Sequence, residues 1–397
     1  MIKAQNFINK FSGAIKGTAP FKALKFHRRQ KVTGRRVARA FVSGDRFEVN
    51  LGEISFFVKP GHPIDYEVHC FDFAVFGLAA LSMSNGWEID FESPVSESVV
   101  ARVEEIRRTY DDWMIIGLYP LRLHFSCIVS DPDLPARTSI GICMSGGIDS
   151  LAGAIEAQSK YRLSHGVLIA GADYPNSHHP GFLELLQRVK FQADALGIRL
   201  LVCETNIRSL GFNWEMLFGL NLAMCLHAQS AIMCAGGIGG DFTMAQDMIL
   251  HPWGTSHALN GILSTDNFEV LSLNKELGRT EKLSVIFNHS SRLIPLLSVC
   301  WRDRSTGKNC GKCLKCQRTM LNSIAAFGFV PDIFNASPDL ETFIKNLKAP
   351  KRFSAVRTEL IQIGNIYHNM PEGNLKRLLS VHLNDLRLAY LKGMPRP

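Results

Sequence analysis

Hydrophobic positions in the first third of the chain keep changing their period. Alternation at 46–49 and 54–58 predicts two strands paired across Asn50-Leu51-Gly52. An apolar run over 71–83, stopped by Asn85-Gly86, predicts a helix. Residues 88–91 read as strand and 96–113 as a helix with a charged outer face. Over 119–129, Leu121, Leu123 and Phe125 alternate and predict strand again. This mixture predicts a small α+β domain over 41–136 that carries no chemical motif. Asp131-Pro132-Asp133-Leu134-Pro135 reads as a linker.

From 137 the rhythm becomes strand–helix–strand. Strands are expected at 139–143, 166–171 and 198–203, with helices opening near Asp149 and spanning 180–196. Residues 216–240 carry no acid or base over 25 positions, long enough to span a bilayer. Asn221, His227, Gln229 and Ser230 interrupt that run, so it reads as a buried helix (213–229), a core strand (231–235) and a glycine loop (236–240). The alternation predicts an α/β fold, a doubly wound, Rossmann-like parallel sheet over 137–330. Helical patterns at 340–347, 356–363 and 374–391 predict a helical C-terminal region, 331–397.

Composition alters this picture little. The chain has 397 residues, 46% of them hydrophobic, and 44 Lys+Arg against 36 Asp+Glu, a net of +8. These values argue against disorder, coiled coil and collagen-like classes. Where the charge lies matters more. Residues 1–40 hold 11 Lys/Arg and no acid, which leaves 33 basic against 36 acidic residues in 41–397. A basic arm, 1–40, is therefore separable from a near-neutral body. Acid-free Lys/Arg segments bind phosphate backbones, so nucleic acid is an expected partner of the arm alone. The arm lacks the apolar run of a secretory signal, and an organellar transit peptide is the alternative. Ten cysteines are too few for a disulfide scaffold, and four fall within 300–316. That clustering points to a metal site and a reducing compartment, so a cytoplasmic protein that does not enter the membrane is expected.

The most informative string is Ser145-Gly146-Gly147-Ile148-Asp149-Ser150, between an apolar strand and a helix. Two glycines allow close backbone approach, and two hydroxyls donate hydrogen bonds. The helix start behind them offers free N–H groups and partial positive charge to a phosphate. Asp149 suits either a Mg²⁺ ion or a helix cap. The Walker ending is absent. The plain alternative is a Ser/Gly-rich turn in which Asp149 only caps.

Cys300-x9-Cys310-x2-Cys313-x2-Cys316 supplies four thiolates. A closed four-cysteine set is the pattern of structural zinc, with an iron–sulfur cluster as the main competitor. Lys308, Lys312, Lys315 and Arg318 would offset its negative charge.

The loop resembles the Ser-Gly-Gly-x-Asp-Ser signature of the PP-loop ATP pyrophosphatases. Together with the cysteines some 150 residues later, residues 138–328 resemble 7-cyano-7-deazaguanine synthase and its relatives. Ala172-Asp173-Tyr174 followed by His178 is similar to that family's strand end near nucleotide and substrate, with Pro175-Asn176 where the family has Gly-Gln. Gly278-Arg279-Thr280-Glu281-Lys282 is similar to its Lys- and Glu-rich helix start near the phosphates. The resemblance implies that Ser145, Gly146, Gly147, Asp149 and Ser150 grip the pyrophosphate of ATP, with Asp173 and Gly237 also at the nucleotide. It further implies Mg²⁺ on Asp149 and a phosphate contact from Lys282, so that Ser145, Asp149, Ser150 and Lys282 form the catalytic set. The implied chemistry is adenylation of a carboxylate or amide oxygen on a small acid, such as a 7-deazapurine. Ammonia or an amine would then complete a C–N bond.

Secondary candidates are weighed against simpler roles. Gly236–Asp241 follows a strand, where α/β folds place ligand loops. His251, Trp253 and His257 fall in an irregular stretch, 241–267, of lid length. His178 and His179 suit acid–base work or simply solvent. Arg279, Arg292, Arg302 and Arg304 could hold a carboxylate or phosphate. Cys143, Cys203, Cys225 and Cys234 read as core, mattering only to a sulfur transferase. Two other functions are consistent with the loop: a tRNA-modifying enzyme (thiolation or lysidine-type ligation) and a non-catalytic nucleotide-binding module. A homodimer is compatible with the sequence.

Overall fold

Between Gly34 and Ser43 the side chains alternate: Ala38 and Ala40 are buried, while Arg35, Val37, Arg39 and Phe41 face solvent. The computed structural model describes residues 32–393 except 114, 116, 133–136, 251, 252, 301 and 303–306. Most of the basic arm, His251, Arg304 and most of the expected linker therefore lie outside the described residues. Strand β1 (Gly34–Ser43) takes in residues 34–40, the last part of the segment read as an arm. Arg35 and Arg39 occupy the exposed half of a strand period, while Arg36 lies on the other half and covers the Trp87 ring at 5.0 Å, so a count of charges concealed the alternation.

A meander follows. β1 runs antiparallel to β2 (Arg46–Leu51), and β2 antiparallel to β3 (Ile54–Lys59). The apolar helix Asp72–Asn85 is buried along nearly its whole length and stops at Gly86, whose φ of 71° closes the last turn onto Ser82 O. β4 (Trp87–Phe91) lies parallel to β1. β5 (Val95–Ser96) precedes the amphipathic helix Glu97–Trp113. The single strand expected over 119–129 is two short ones. β6 (Leu123–Phe125) pairs with β4, and β7 (Ile128–Val129) leaves to pair with β5.

The second half supplies β8 (Ile140–Cys143), β9 (Leu163–Ala170), β10 (Arg199–Thr205), β11 (Ala235–Gly239) and β12 (Glu269–Leu273). All five are mutually parallel, with intervening helices at Ile148–Lys160, Pro180–Ala195 and Trp214–His227. The strand order is β12-β11-β8-β9-β10-β3-β2-β1-β4-β6. The two halves thus share one large, mostly parallel sheet, joined where β10 meets β3 antiparallel at Glu204↔Lys59 and Thr205↔Val58. β8, first of its five, has β9 on one side and β11 on the other. The winding reverses there, which opens a crevice at the strand carboxyl ends.

The glycine run is a strand rather than a loop. Residues 231–234 turn, and Ala235–Gly239 pairs on both sides. Glycine is required because the neighbours press in: a Cβ on Gly239 would lie 2.3 Å from Asp149 O, and one on Gly236 would lie 2.8 Å from Leu226. The helix Trp214–His227, free of charge after Glu215, packs on Asp72–Asn85, where Gly77 admits Met224. Among the described residues no helix is long and apolar enough to cross a membrane.

Four helices complete the chain: Leu314–Phe327, Leu340–Asn346, Phe353–Asn369 and Asn374–Gly393. Leu321, Ile344, Ile363, Leu379 and Leu386 form their own core. The Arg318–Glu359 ion pair joins two of these helices, and Asn365 ties the region to the rest of the chain by donating to Glu281 at 2.8 and 3.0 Å. Glu281 belongs to the helix Arg279–His289, so the tail buttresses an element that faces the crevice.

Candidate functional site

A cavity of about 250 Å³ occupies the crevice. Its floor is the end of β8 running into the loop 145–150. One wall follows β9 through Ala172, Asp173 and Tyr174, and another follows β11 through Gly239 to Asp241. Trp214, Phe218 and Leu222 contribute an apolar part of the lining, and Arg279, Lys315 and Cys300 a polar part.

The loop is held from within. Ser150 Oγ accepts from Ser145 N–H and from Ser145 Oγ, each at 3.2 Å, and donates to Gly147 O at 3.2 Å. Gly146 has φ 74°, and a Cβ there would lie 2.8 Å from Leu185. Its carbonyl accepts from Ser298 N at 2.8 Å and Gln192 Nε2 at 3.3 Å. These bonds turn the glycine carbonyl away from the cavity. The helix then starts at Ile148 with Gly147 as N-cap and no side-chain cap, so its first N–H groups open toward the cavity.

Asp149 does not cap. Its Oδ1 accepts from Lys282 Nζ at 2.9 Å and its Oδ2 from Arg279 at 2.7 Å. Burial would raise this carboxyl, but Arg279 and Lys282 outweigh it and hold the group down at about 2. Arg279, which burial would weaken as a base, is in turn strengthened by Asp149 and Asp241. Asp241 lies 3.6 Å from Arg279 and accepts from Trp253 Nε1 at 2.9 Å and Thr255 Oγ1 at 3.3 Å. The Asp149 backbone carbonyl is fixed by Asn274 Nδ2 at 2.8 Å.

Lys282 needs correction as a phosphate contact. It is fully buried, and its Nζ donates to Asp149, to Gly240 O at 2.5 Å and to Asp241 O at 3.2 Å. All three donors are spent inside the protein, so it positions Asp149 and does not face the cavity. Mg²⁺ at Asp149 fits poorly for the same reason. Both carboxylate oxygens already hold cations, and a third cation there would meet two like charges. Gly237 is likewise a packing residue: a Cβ there would lie 2.7 Å from Leu273, and it is Gly239 that reaches the cavity. Gly146 shapes the loop without lining the cavity, whereas Ser145, Gly147, Asp149, Ser150 and Asp173 all line it.

His179 and His257 have structural roles. His179 caps the helix Pro180–Ala195, accepting from Gly181 N. His178 is exposed, and its backbone N–H donates to Asn176. His257 is buried between Ser272 Oγ at 2.6 Å and Phe242 O at 2.8 Å. Arg292 and Arg302 are exposed and stand outside the cavity. Reading the sequence missed the apolar lining of Trp214, Phe218 and Leu222, which looked only like a buried helix. Spacing of four between Trp214, Phe218 and Leu222 is the one signal that they share a helix face.

The four cysteines converge: the sulfurs of Cys300, Cys310, Cys313 and Cys316 all lie within 4.8 Å of one another. Cys300 to Cys313 is 4.0 Å and Cys310 to Cys316 is 3.9 Å. A tetrahedral ion with metal–sulfur bonds of about 2.3 Å sets sulfurs roughly 3.8 Å apart, so the set can hold a single metal ion and is compatible with zinc. A four-iron cluster puts iron and sulfide between its thiolates and would spread them further. Gly311, with φ 75°, makes the turn possible, since a Cβ there would lie 1.9 Å from Ala336 O. Asn309 Oδ1 accepts from Val299 N and Cys300 N at 2.8 and 3.1 Å, fixing the first ligand. Compared with known proteins, the chain matches no protein-family model and no curated sequence.

Proposed function

We propose that the cavity binds the phosphates of ATP and that the protein is an ATP-dependent carbon–nitrogen ligase. One observation carries this reading: the uncapped start of the helix Ile148–Lys160, Ser145 and Arg279 face the same cavity at the point where the sheet's winding reverses. The loop donors and Arg279 suit a polyphosphate anion, and the Trp214 and Phe218 rings suit a planar ring. In the proposed reaction a carboxylate or amide oxygen attacks the α-phosphorus. The bond to the β-phosphate breaks, and pyrophosphate leaves with its electron pair. Ammonia or an amine then attacks the activated carbon, and AMP leaves.

Sulfur chemistry is disfavoured by the cysteines available. Cys143 lines the cavity, but burial and the neighbouring Cys203 push its thiol well up, away from the reactive thiolate. Cys300 sits in the four-cysteine cluster. If that cluster holds zinc, the ion contributes folding free energy and a closed coordination shell rather than a reacting water.

The test is ATP–pyrophosphate exchange measured against small acids and deazapurine carboxylates, with bulk tRNA in a parallel arm. Exchange dependent on one small acid is the expected result. Exchange in the tRNA arm alone would move the substrate to nucleic acid. No exchange in any arm, together with no ATP binding by calorimetry, would sink the ligase reading.

A further inference from the structure

Lys315 sits between two metal-site cysteines, Cys313 and Cys316, yet its side chain lines the cavity. It also lines a second, smaller cavity of about 40 Å³ that shares Asp241 and Arg279 with the first. Lys315 is half-buried, and among the described residues no hydrogen bond or ion pair engages its ammonium. A half-buried ammonium that feels the Asp149 carboxylate across the cavity without bonding to it, in a lining that includes Arg279 and the open start of the helix Ile148–Lys160, is suited to an anionic ligand.

Its position depends on the knuckle. Lys315 is the second residue of the helix Leu314–Phe327, whose N-cap is Cys313. The Cys313 sulfur accepts from Cys316 N at 3.4 Å, so the first turn of that helix is wrapped around a metal-ligand sulfur. Ser298 and Val299, which also line the cavity, lead directly into Cys300. Without a bound ion, four thiol groups packed together give the turn little to hold it in this shape.

We propose that Lys315 is an anion ligand of the cavity, taking a phosphate or pyrophosphate group, and that the four-cysteine centre couples metal loading to anion binding by placing it. This rests on the reading of the cavity as a phosphate site and adds a residue and a linkage to it. The centre would then act as more than a distant staple.

The probe is inorganic pyrophosphate, titrated by calorimetry into full-length protein at low salt, with metal per chain measured on each sample. Lys315→Gln, fully metal-loaded, is expected to weaken pyrophosphate binding about tenfold and to flatten its salt dependence. Lys315→Arg is expected to recover most of the affinity. Stripping the metal is expected to weaken binding in the unmodified protein at least as much, and to add little in Lys315→Gln. Unchanged binding by metal-loaded Lys315→Gln would overturn the proposal while leaving the phosphate reading intact. Equal losses on stripping both proteins would overturn the linkage. If the unmodified protein binds neither pyrophosphate nor ATP, the phosphate reading falls and this proposal with it.

Discussion

Two helix starts face the same cavity, and they solve the same physical problem differently. The helix Ile148–Lys160 begins at a glycine with no side-chain cap, so its first N–H groups remain for a ligand. The helix Leu314–Phe327 begins at Cys313, whose sulfur takes the Cys316 N–H. The first contributes backbone donors and partial charge. The second spends the Cys316 N–H on the knuckle and contributes a full charge through Lys315. An anion site can thus be assembled from one open helix and one closed one, provided the closed one carries a cation.

The comparison is broken most severely at the knuckle. Cys316→Ser should abolish stoichiometric metal binding and remove much of the on the order of 10 kcal/mol that a closed thiolate site contributes to local folding. Metal analysis and limited proteolysis around 300–316 would show it, and a variant keeping one metal per chain and full protease resistance would refute the assignment. Next in size is Lys282→Met. It leaves the half-buried Asp149 with Arg279 as its one bonded cation and two carbonyls without their donor, at a cost of about 3–5 kcal/mol. A denaturant midpoint within error of the unmodified protein would show that Lys282 does not support the loop.

Ser145→Ala sharpens the open-helix half of the comparison. The hydroxyl lines the cavity and bonds within the loop only to Ser150. Its loss is expected to lower ATP-dependent pyrophosphate release about 100-fold, on the order of 3 kcal/mol of barrier. Stability should hardly change, so a variant that unfolds more easily but turns over normally would reverse the reading. The smallest effect is on acid stability. The Asp149 carboxyl is depressed in the folded state from its ordinary 3.8 to about 2. Its contribution is therefore fully present above about pH 4 and is lost as pH falls through about 2, on the order of 2 kcal/mol. Denaturant unfolding at stepped acid pH should show this leg, and its absence would mean that the ion pairs with Arg279 and Lys282 do not form.

Reading the sequence located the loop, the cysteines and most of the long helices, because each is written in neighbouring residues. It missed Leu314–Phe327 and the short helices Met244–Ile249 and His257–Gly261 inside the stretch read as irregular. The helix Asp72–Asn85 ends where Gly86 allows φ 71°, and the three cysteines of the knuckle lie within seven positions. The same local view failed for Gly236–Gly239. Glycines in series look like a loop until the Asp149 carbonyl and Leu226 are seen pressing on them. It failed again for residues 34–40, whose charges hid a strand, and for the sheet itself, which crosses from one half of the chain to the other at β3 and β10.

The two lysines mark the boundary between what each level decided. From the sequence alone, Lys282 at a helix start was the natural phosphate contact, and Lys315 was one of several charges around the cysteines. The tertiary structure exchanged those roles. Lys282 meets Asp149 across 133 positions and is saturated there, while Lys315 is left facing the cavity. Periodicity and ligand spacing are local properties, and the sequence determined them. Whether a charge is spent or available depends on which distant groups fold against it, and only the packed chain determines that.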